Sequence, residues 1–195
     1  SNSSIQKRLV HKKNSEAIQL NEEYTKGDFV FTNRGRDLSG LSESGKQKLI
    51  RNEGKLVIDG KILGGMNAVD SKSYNGFSNI DITEIEFKNV ESIKYIHNSF
   101  NNTKLKKVDL SQFKKIDGIA DSFNFGEIEI VVFPNFTENG YLGGFNNNKI
   151  EKLDLSSLEN LSSIYGFNNN NIKSIDFSTL SNLENIGYDS FEDNK

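Results

Sequence analysis

The chain has 195 residues, a net charge of -3, 34% hydrophobic residues, 26% charged residues and no cysteine. A net charge this small gives no indication of nucleic-acid or membrane-surface binding, and the absence of cysteine excludes disulfides and thiolate metal sites. No apolar run approaches the roughly 20 residues that span a bilayer. The length of the chain indicates one elongated domain, or one domain with a small cap.

Residues 1–27 show no repeat. A loose helical spacing of apolar residues, including Ile5, Leu9 and Ile18, predicts a linker or a lone helix in this segment. Residues 7–13 are mostly basic, which leaves a basic interaction tail as the alternative.

Residues 28–58 are predicted to form an N-terminal capping unit made of a hairpin and a short helix. Residues 28–32 alternate at the strand period, and Asn33-Arg34-Gly35 has the composition of a turn. The helix is expected to begin after Ser42, whose hydroxyl is suited to cap it. Terminal repeats of solenoids are atypical because one of their faces must meet water.

Residues 59–195 contain a repeat of 22 to 24 residues, which is most visible in six phenylalanines. A period between about 20 and 29 residues is typical of leucine-rich repeat arrays. The apolar positions between the phenylalanines recur in the same register, and only Asn139 interrupts them. We therefore predict a leucine-rich repeat solenoid of about six units, and we expect more repeats to follow in the full protein. The six phenylalanines are Phe77, Phe100, Phe123, Phe145, Phe167 and Phe191.

Each unit is predicted to contain one strand, a set of tight turns and one phenylalanine that closes the layer. Leu153 and Leu155 are spaced at the strand period of two, so such segments are expected to form a parallel β-sheet on the concave face. Leu158, Leu161 and Ile164 recur every three residues, which favours short 3₁₀ or α turns on the opposite wall. The asparagine runs that follow most of the phenylalanines are interpreted as corners.

The repeated sequence resembles a known family. Residues 153–164 read Leu-Asp-Leu-Ser-Ser-Leu-Glu-Asn-Leu-Ser-Ser-Ile, and residues 175–186 repeat this motif, which is similar to the repeat of BspA-like leucine-rich repeat proteins. Residues 38–58 are similar to the N-terminal cap that precedes such repeats in bacterial surface proteins. The resemblance implies a secreted or wall-anchored bacterial protein that adheres to host or matrix proteins, and it implies no particular ligand.

Catalytic chemistry has little support in the sequence. The two histidines, His11 and His97, lie in the irregular N-terminal segment and near a repeat corner, and no Ser-His-Asp arrangement emerges. The glycine-rich residues 60–65 lack the ending of a phosphate-binding loop and are interpreted as a turn. No catalytic residue, cofactor or metal site is predicted. Calcium binding by surface carboxylates is an alternative that lacks a loop motif.

Two columns of residues are predicted to point outward from the concave sheet and to form its protein contacts. Lys107 and Lys152 are expected to lie diagonally near Asp109 and Asp154 and to neutralise them, because neighbouring strands lie about 4.8 Å apart. The alternative is a solvated face whose charges partly pair with one another. One column is Glu86, Asp109, Val132, Asp154 and Asp176, and the other is Glu84, Lys107, Ile130, Lys152 and Ser174.

Ile130 and Val132 are the most specific candidates for a protein contact. If the register of the repeat holds, both side chains point outward, where two β-branched residues ringed by charges resemble a small interface with a polar rim. A local slip in register would instead bury both of them.

These observations favour a non-enzymatic protein-binding module, because a solenoid presents a long surface and few pockets. We expect an adhesive fragment of a bacterial cell-surface protein, extracellular or associated with the cell wall. It is expected to be a monomer that binds a host, matrix or serum protein and no nucleic acid. The alternative is a structural spacer, or a targeting arm attached to another domain, which includes an enzymatic one.

Overall fold

The computed structural model describes residues 22–71 and 76–194. Over these residues the chain winds as a β-solenoid, in which most strands lie parallel to the equivalent strand of the preceding coil. Most of the linker or helix predicted for residues 1–27 lies outside the described residues. Within the described ranges, the structure contains no helix with the length and apolar character needed to cross a membrane.

The N-terminal unit contains the predicted hairpin and helix. After a 3₁₀ turn at Lys26–Asp28, strands β1 (Phe29–Thr32) and β2 (Asp37–Leu41) pair antiparallel, and helix α1 (Glu43–Arg51) follows. Ser42 is the N-cap of α1, as predicted, and its hydroxyl oxygen accepts a hydrogen bond of 3.3 Å from the backbone N–H of Gly45.

An eight-stranded main sheet forms one wall of the solenoid. Among its described strands, only β1 and β2 pair antiparallel, and every later pair is parallel. In spatial order the sheet continues from β1 and β2 with β4 (Ala68–Asp70), β6 (Ser92–His97), β8 (Lys115–Ser122), β10 (Phe136–Gly144), β11 (Leu161–Gly166) and β12 (Asn185–Ile186).

Shorter strands form the second wall, on the other side of the core. Strand β3 (Lys55–Asp59) pairs in parallel with β5 (Glu84–Lys88), and β7 (Lys107–Asp109) pairs in parallel with β9 (Ile130–Val132). A one-turn helix, α2 (Gly60–Leu63), follows β3. Residues 152–154 and 174–176 take the equivalent place in the next two coils without forming strands.

The prediction of which wall carries the main sheet is wrong. Leu161 and Ile164, predicted to lie in turns, belong to β11, whereas Leu153 and Leu155 lie outside the strands. The turns are present but occupy only the corner, where the N–H groups of Leu158 and Leu161 donate to carbonyls three residues earlier at 3.1 and 3.0 Å. Beyond Leu161 the chain is extended. Apolar residues that are spaced three apart therefore cover both the corner and the start of a strand.

The six phenylalanines stack in one column through the core, as predicted. Centroids of neighbouring rings lie 5.0 to 5.5 Å apart, and their planes are inclined by 6 to 20°. The first five rings are fully buried, and Phe191 at the end of the column is partly buried. Burial of each ring stabilises the fold by about 1.5–3 kcal/mol, and each offset pair adds about 0.5–1.5 kcal/mol.

The backbone at these phenylalanines is left-handed in five of the six coils. At Phe123, for example, φ is +60°, a conformation that is unusual for a bulky residue. A hydrogen bond from the phenylalanine N–H to the preceding coil stabilises this unfavourable backbone conformation. Phe123 donates to the carbonyl of Ser99, and Phe145 donates to that of Ser122, both at 3.0 Å. The turn therefore points each ring inward while it redirects the chain at the end of the main sheet.

The asparagine runs form the corners, as interpreted from the sequence. The N–H of Asn124 donates to the side-chain oxygen of Asn101 at 2.8 Å, and the N–H of Asn146 donates to that of Asn124 at 2.9 Å. The buried Asn148 amide donates to the carbonyl of Phe123 and accepts from the N–H of Ile128. These side chains satisfy backbone groups that the corner would otherwise leave without partners.

A buried ion pair joins the 3₁₀ turn to helix α1. The Asp28 carboxylate is 2.6 Å from Lys48 Nζ, and it also accepts hydrogen bonds from the Thr25 N–H and the Ser44 hydroxyl, each 2.7 Å long. Burial alone would raise the pKa of Asp28, but the hydrogen bonds from Lys48, Thr25 and Ser44 outweigh it and lower the pKa to about 2.

We expect Phe123→Ala to lower the free energy of unfolding by about 3–5 kcal/mol, because it opens a cavity inside the ring column. Phe125→Ala is the matched control, since Phe125 has the same residue type and a left-handed φ but is 63% exposed. Its effect should stay within about 0.5 kcal/mol. Urea denaturation followed by circular dichroism measures both values, and equal costs for the two variants would contradict the column as the source of stability.

The Asp28 ion pair should make stability depend on pH in the acid range. Because the folded-state pKa of Asp28 is lowered from 3.8 to about 2, its contribution of about 2 kcal/mol is complete above pH 4 and is lost as the pH falls towards 2. Asp28→Asn should remove this contribution at neutral pH and flatten the loss below pH 4 in urea titrations. Glu91→Gln is the control, since the exposed Glu91–Lys114 pair contributes little. A pH profile in which the two variants agree would refute this assignment.

Candidate protein-contact surface

All ten residues predicted to contact a protein are exposed on the second wall. They alternate with buried neighbours such as Ile85, Val108 and Leu155, whose side chains enter the core. The two predicted columns therefore exist, although on the wall that carries the shorter strands. The role of these residues in binding stays a prediction at this point.

Ile130 and Val132 lie at the centre of this wall. Ile130 is 53% exposed and Val132 is 36% exposed, while Val131 between them pairs with the buried Val108. The alternative of a register slip that buries Ile130 and Val132 is therefore wrong. Burial of residues at every second position is what sets the register here.

Charged residues surround this apolar pair. In the parallel pairing of β7 and β9, Ile130 lies opposite Lys107 and Val132 lies opposite Asp109. On the other side, a groove of about 640 Å³ opens beside Ile130. The groove is lined by Glu129, Ile130, Val131, Lys149, Glu151, Lys152, Asp154 and Asn171. An apolar centre with a charged rim is the arrangement found at protein interfaces.

The carboxylates of the outward column have a structural task. Asp154 accepts two hydrogen bonds from Ser156, one from its N–H at 3.0 Å and one from its hydroxyl at 2.6 Å, and both lower the pKa of Asp154. Asp109 and Ser111 repeat this turn, and so do Asp176 and the N–H of Ser178. These aspartates turn the chain out of the wall.

The lysines expected to neutralise this column form no direct ion pair with its aspartates. Among the described residues, no ion pair within 4.0 Å joins Lys107 to Asp109 or Lys152 to Asp154. One oxygen of each carboxylate accepts hydrogen bonds from a serine instead. Burial would raise the pKa of Asp109, but the hydrogen bonds from Ser111 and, to a smaller extent, the charge of Lys107 lower it. The lysine ammonium groups stay exposed to solvent and available to a partner.

Pro134 explains how an apolar residue can stand in the aspartate column. In the neighbouring coils the aspartate accepts the N–H of the serine two positions later. The coil that contains Val132 has Pro134 at the serine position, and proline has no N–H to satisfy. The turn therefore needs no carboxylate at position 132, which leaves that position available for an apolar side chain.

Phe125 is a candidate that the sequence reasoning missed. It is 63% exposed and has φ +56°, and it occupies the position at which other coils have Asn102, Asn147 and Asn169 in the same left-handed conformation. The signal was present in the sequence, because the residue two places after each core phenylalanine is asparagine in those three coils. Coil 123–144 thus carries three exposed apolar residues where its neighbours are polar. We call Phe125, Ile130 and Val132 the apolar triplet.

The remaining predicted residues lie away from the triplet. Glu84 and Glu86 on β5 lie opposite Lys55 and Val57 of β3. Glu86 also lines a separate cavity of about 260 Å³ beside Tyr24. Ser174 and Asp176 lie two coils beyond Ile130. No group of three or more His, Asp or Glu residues within the described ranges is arranged to hold a metal ion.

Comparison of the chain with family models, with curated proteins and with solved structures gives no match.

Proposed function

We propose that this chain is a non-enzymatic protein-binding module and an adhesive fragment of a bacterial cell-surface protein. It binds a host, matrix or serum protein as a monomer, outside the cell or in the cell wall. We further propose that the solenoid is a leucine-rich repeat array of the BspA-like kind, with residues 28–58 as its N-terminal cap. The resemblance of the repeats supports the location, and the apolar triplet supports the binding.

The observation that carries the proposal is the exposure of Ile130 and Val132 inside a charged rim. An exposed apolar pair on a rigid strand contributes to affinity when a partner removes it from water, by about 25 cal/mol for each Å². Lys107, Asp109 and Lys152 around it contribute to orientation and to the rate of association.

Phe125 supports the same proposal through its cost to the free protein. A left-handed backbone is unfavourable for a residue with a bulky side chain, and the exposed ring gains little from burial. Asparagine, which the neighbouring coils use, adopts this conformation more readily. An aromatic residue that costs stability and protrudes from a rigid scaffold is suited to anchor a partner.

The binding proposal is tested with Ile130→Asp combined with Val132→Lys. The chain is assayed by biolayer interferometry against a panel of immobilised matrix and serum proteins, such as fibronectin, fibrinogen, laminin and collagen. We expect affinity for at least one of them, and we expect the double variant to bind about tenfold more weakly or worse. Its thermal transition should remain cooperative, because both side chains are exposed.

Ile186→Asp is the matched control for this test. Ile186 is 51% exposed but lies on the main sheet, so its replacement should leave binding to the panel unchanged. Equal loss in the control and in the double variant would refute the proposed surface. A chain that binds no member of the panel would instead favour the spacer function.

Phe125→Asn separates binding from stability. The variant restores the residue type of the neighbouring coils, so we expect the free energy of unfolding to rise by about 0.5–1 kcal/mol. Affinity for the panel protein should fall at the same time, because the aromatic anchor is lost. Urea denaturation and interferometry on the same sample measure the two effects, and retained affinity would remove Phe125 from the surface.

A further inference from the structure

A strip of aromatic side chains crosses the outward face of the main sheet, on the side of the core opposite Ile130 and Val132. Tyr95 and His97 on β6, Tyr141 on β10 and Tyr165 on β11 are each partly exposed and lie next to buried residues of the same strand. We call these four residues the aromatic strip. None of them is part of the surface described above.

Two rings of the strip lie flat on the sheet because glycines lie beneath them. Tyr141 lies opposite Gly118 on β8, and Tyr165 lies opposite Gly143 on β10. A Cβ built on Gly118 would overlap the ring of Tyr141, and one built on Gly143 would overlap that of Tyr165. Each ring therefore has one face against backbone, so its exposed area belongs to the other face and to the edge.

The strip is held in place by contacts among its own members. The rings of Tyr95 and His97 stack with centroids 3.9 Å apart, and His97 Nε2 shares a hydrogen bond of 2.6 Å with the Tyr141 hydroxyl. Burial raises the pKa of Tyr165 to about 12; the Asp121 carboxylate adds to this effect, and a hydrogen bond with the Asp121 backbone opposes it. A rigid strip binds with a small loss of side-chain entropy.

Polar groups border the rings. Asp117 and Asp121 on β8 are exposed, and the Thr137 hydroxyl donates to Asp117 at 2.9 Å. Carboxylates accept hydrogen bonds from hydroxyl groups, and tyrosine hydroxyls both donate and accept. Flat apolar faces beside such groups match a ligand that has one apolar face and many hydroxyls along its edge.

We propose that the aromatic strip binds a linear, uncharged polysaccharide whose sugar rings carry equatorial substituents, such as a β-1,4-linked glycan. The C–H face of one sugar ring stacks on Tyr141 and that of a later ring stacks on Tyr165, while sugar hydroxyls bond to Asp117 and Asp121. The two tyrosine rings lie on neighbouring strands and two positions apart, so they are separated by about 8 Å, a distance that a short linear glycan can bridge.

The two glycines leave room for the tyrosine rings and for no side chain of their own. Seating aromatic rings over glycine also strengthens a sheet, so the experiment must separate binding from stability.

The test uses the full chain and two probes, cellohexaose and chitohexaose, with an α-1,6-linked glucan hexamer and a chitosan hexamer as comparison ligands. The chain has no tryptophan, and three of its six tyrosines belong to the strip, so tyrosine fluorescence responds to binding there. We expect the two β-1,4-linked probes to bind at millimolar concentration or below and the α-1,6-linked hexamer to bind more weakly. Binding should not change with salt concentration, because neither probe is charged.

Tyr141→Leu and Tyr165→Leu should each weaken binding about tenfold, the effect expected from loss of one stacking contact. Tyr188→Leu is the matched control, since Tyr188 is 96% exposed and lies outside the strip. The double variant Ile130→Asp with Val132→Lys should also retain glycan binding, which distinguishes this site from the proposed protein surface. If the Tyr141 or Tyr165 variant does not fold, aromatic NMR shifts of the unaltered protein during titration decide the question.

Three results would overturn the proposal. They are the absence of binding to both β-1,4-linked probes, retained binding in folded Tyr141→Leu and Tyr165→Leu, and binding to the cationic chitosan hexamer alone that disappears with added salt.

Discussion

The stacking of one phenylalanine per coil is the constraint on which the rest of the structure depends. Ring centroids repeat at 5.0 to 5.5 Å, close to the spacing of about 4.8 Å that backbone hydrogen bonds impose between strands. The core and the main sheet therefore require the same rise from each coil. The N–H groups of the last four phenylalanines of the column bond to the coil before them, so ring height and strand register are fixed together. Outward positions of the paired strands on the second wall consequently lie opposite their equivalents in the next coil.

This alignment separates the positions that must be kept from those that can vary. Corners need a side-chain acceptor, which asparagine supplies beside the ring column and aspartate supplies at the end of the second wall. Coil 123–144 keeps its asparagine acceptor, Asn124, but departs at two other places: Phe125 replaces a left-handed asparagine, and Val132 with Pro134 replaces an aspartate and a serine. Pro134 removes the need for the aspartate, whereas nothing offsets the unfavourable backbone conformation of Phe125. Its ring costs stability locally, which is why we place it in a binding role.

The repeated period was sufficient to predict the ring column, the asparagine corners and, if the register held, the exposure of Ile130 and Val132. The cap at Ser42 was predicted from its hydroxyl alone. The sequence failed for the main sheet, since apolar residues three apart fit a turn, and a turn followed by a strand, equally well. The aspartates were interpreted as surface charge because their bonds to serine depend on local backbone angles. The aromatic strip was missed for another reason. The ring of Tyr141 packs on Gly118, which is 23 residues away in the sequence. The periodicity within one unit does not indicate on which neighbouring strand a side chain packs.

The two proposed surfaces are compatible because the core between them carries the stability. In a solenoid each coil interacts mainly with its two neighbours, so an outward substitution on one wall changes local energies and leaves the register of the other wall intact. The buried column from Phe77 to Phe167 keeps that register on both sides. The second wall offers an apolar centre with a charged rim, and the main sheet offers flat rings with hydroxyl and carboxylate edges. The two surfaces differ in chemistry, so each would bind a different kind of ligand. A glycoprotein, which carries both protein and glycan, would be able to contact both walls of the solenoid.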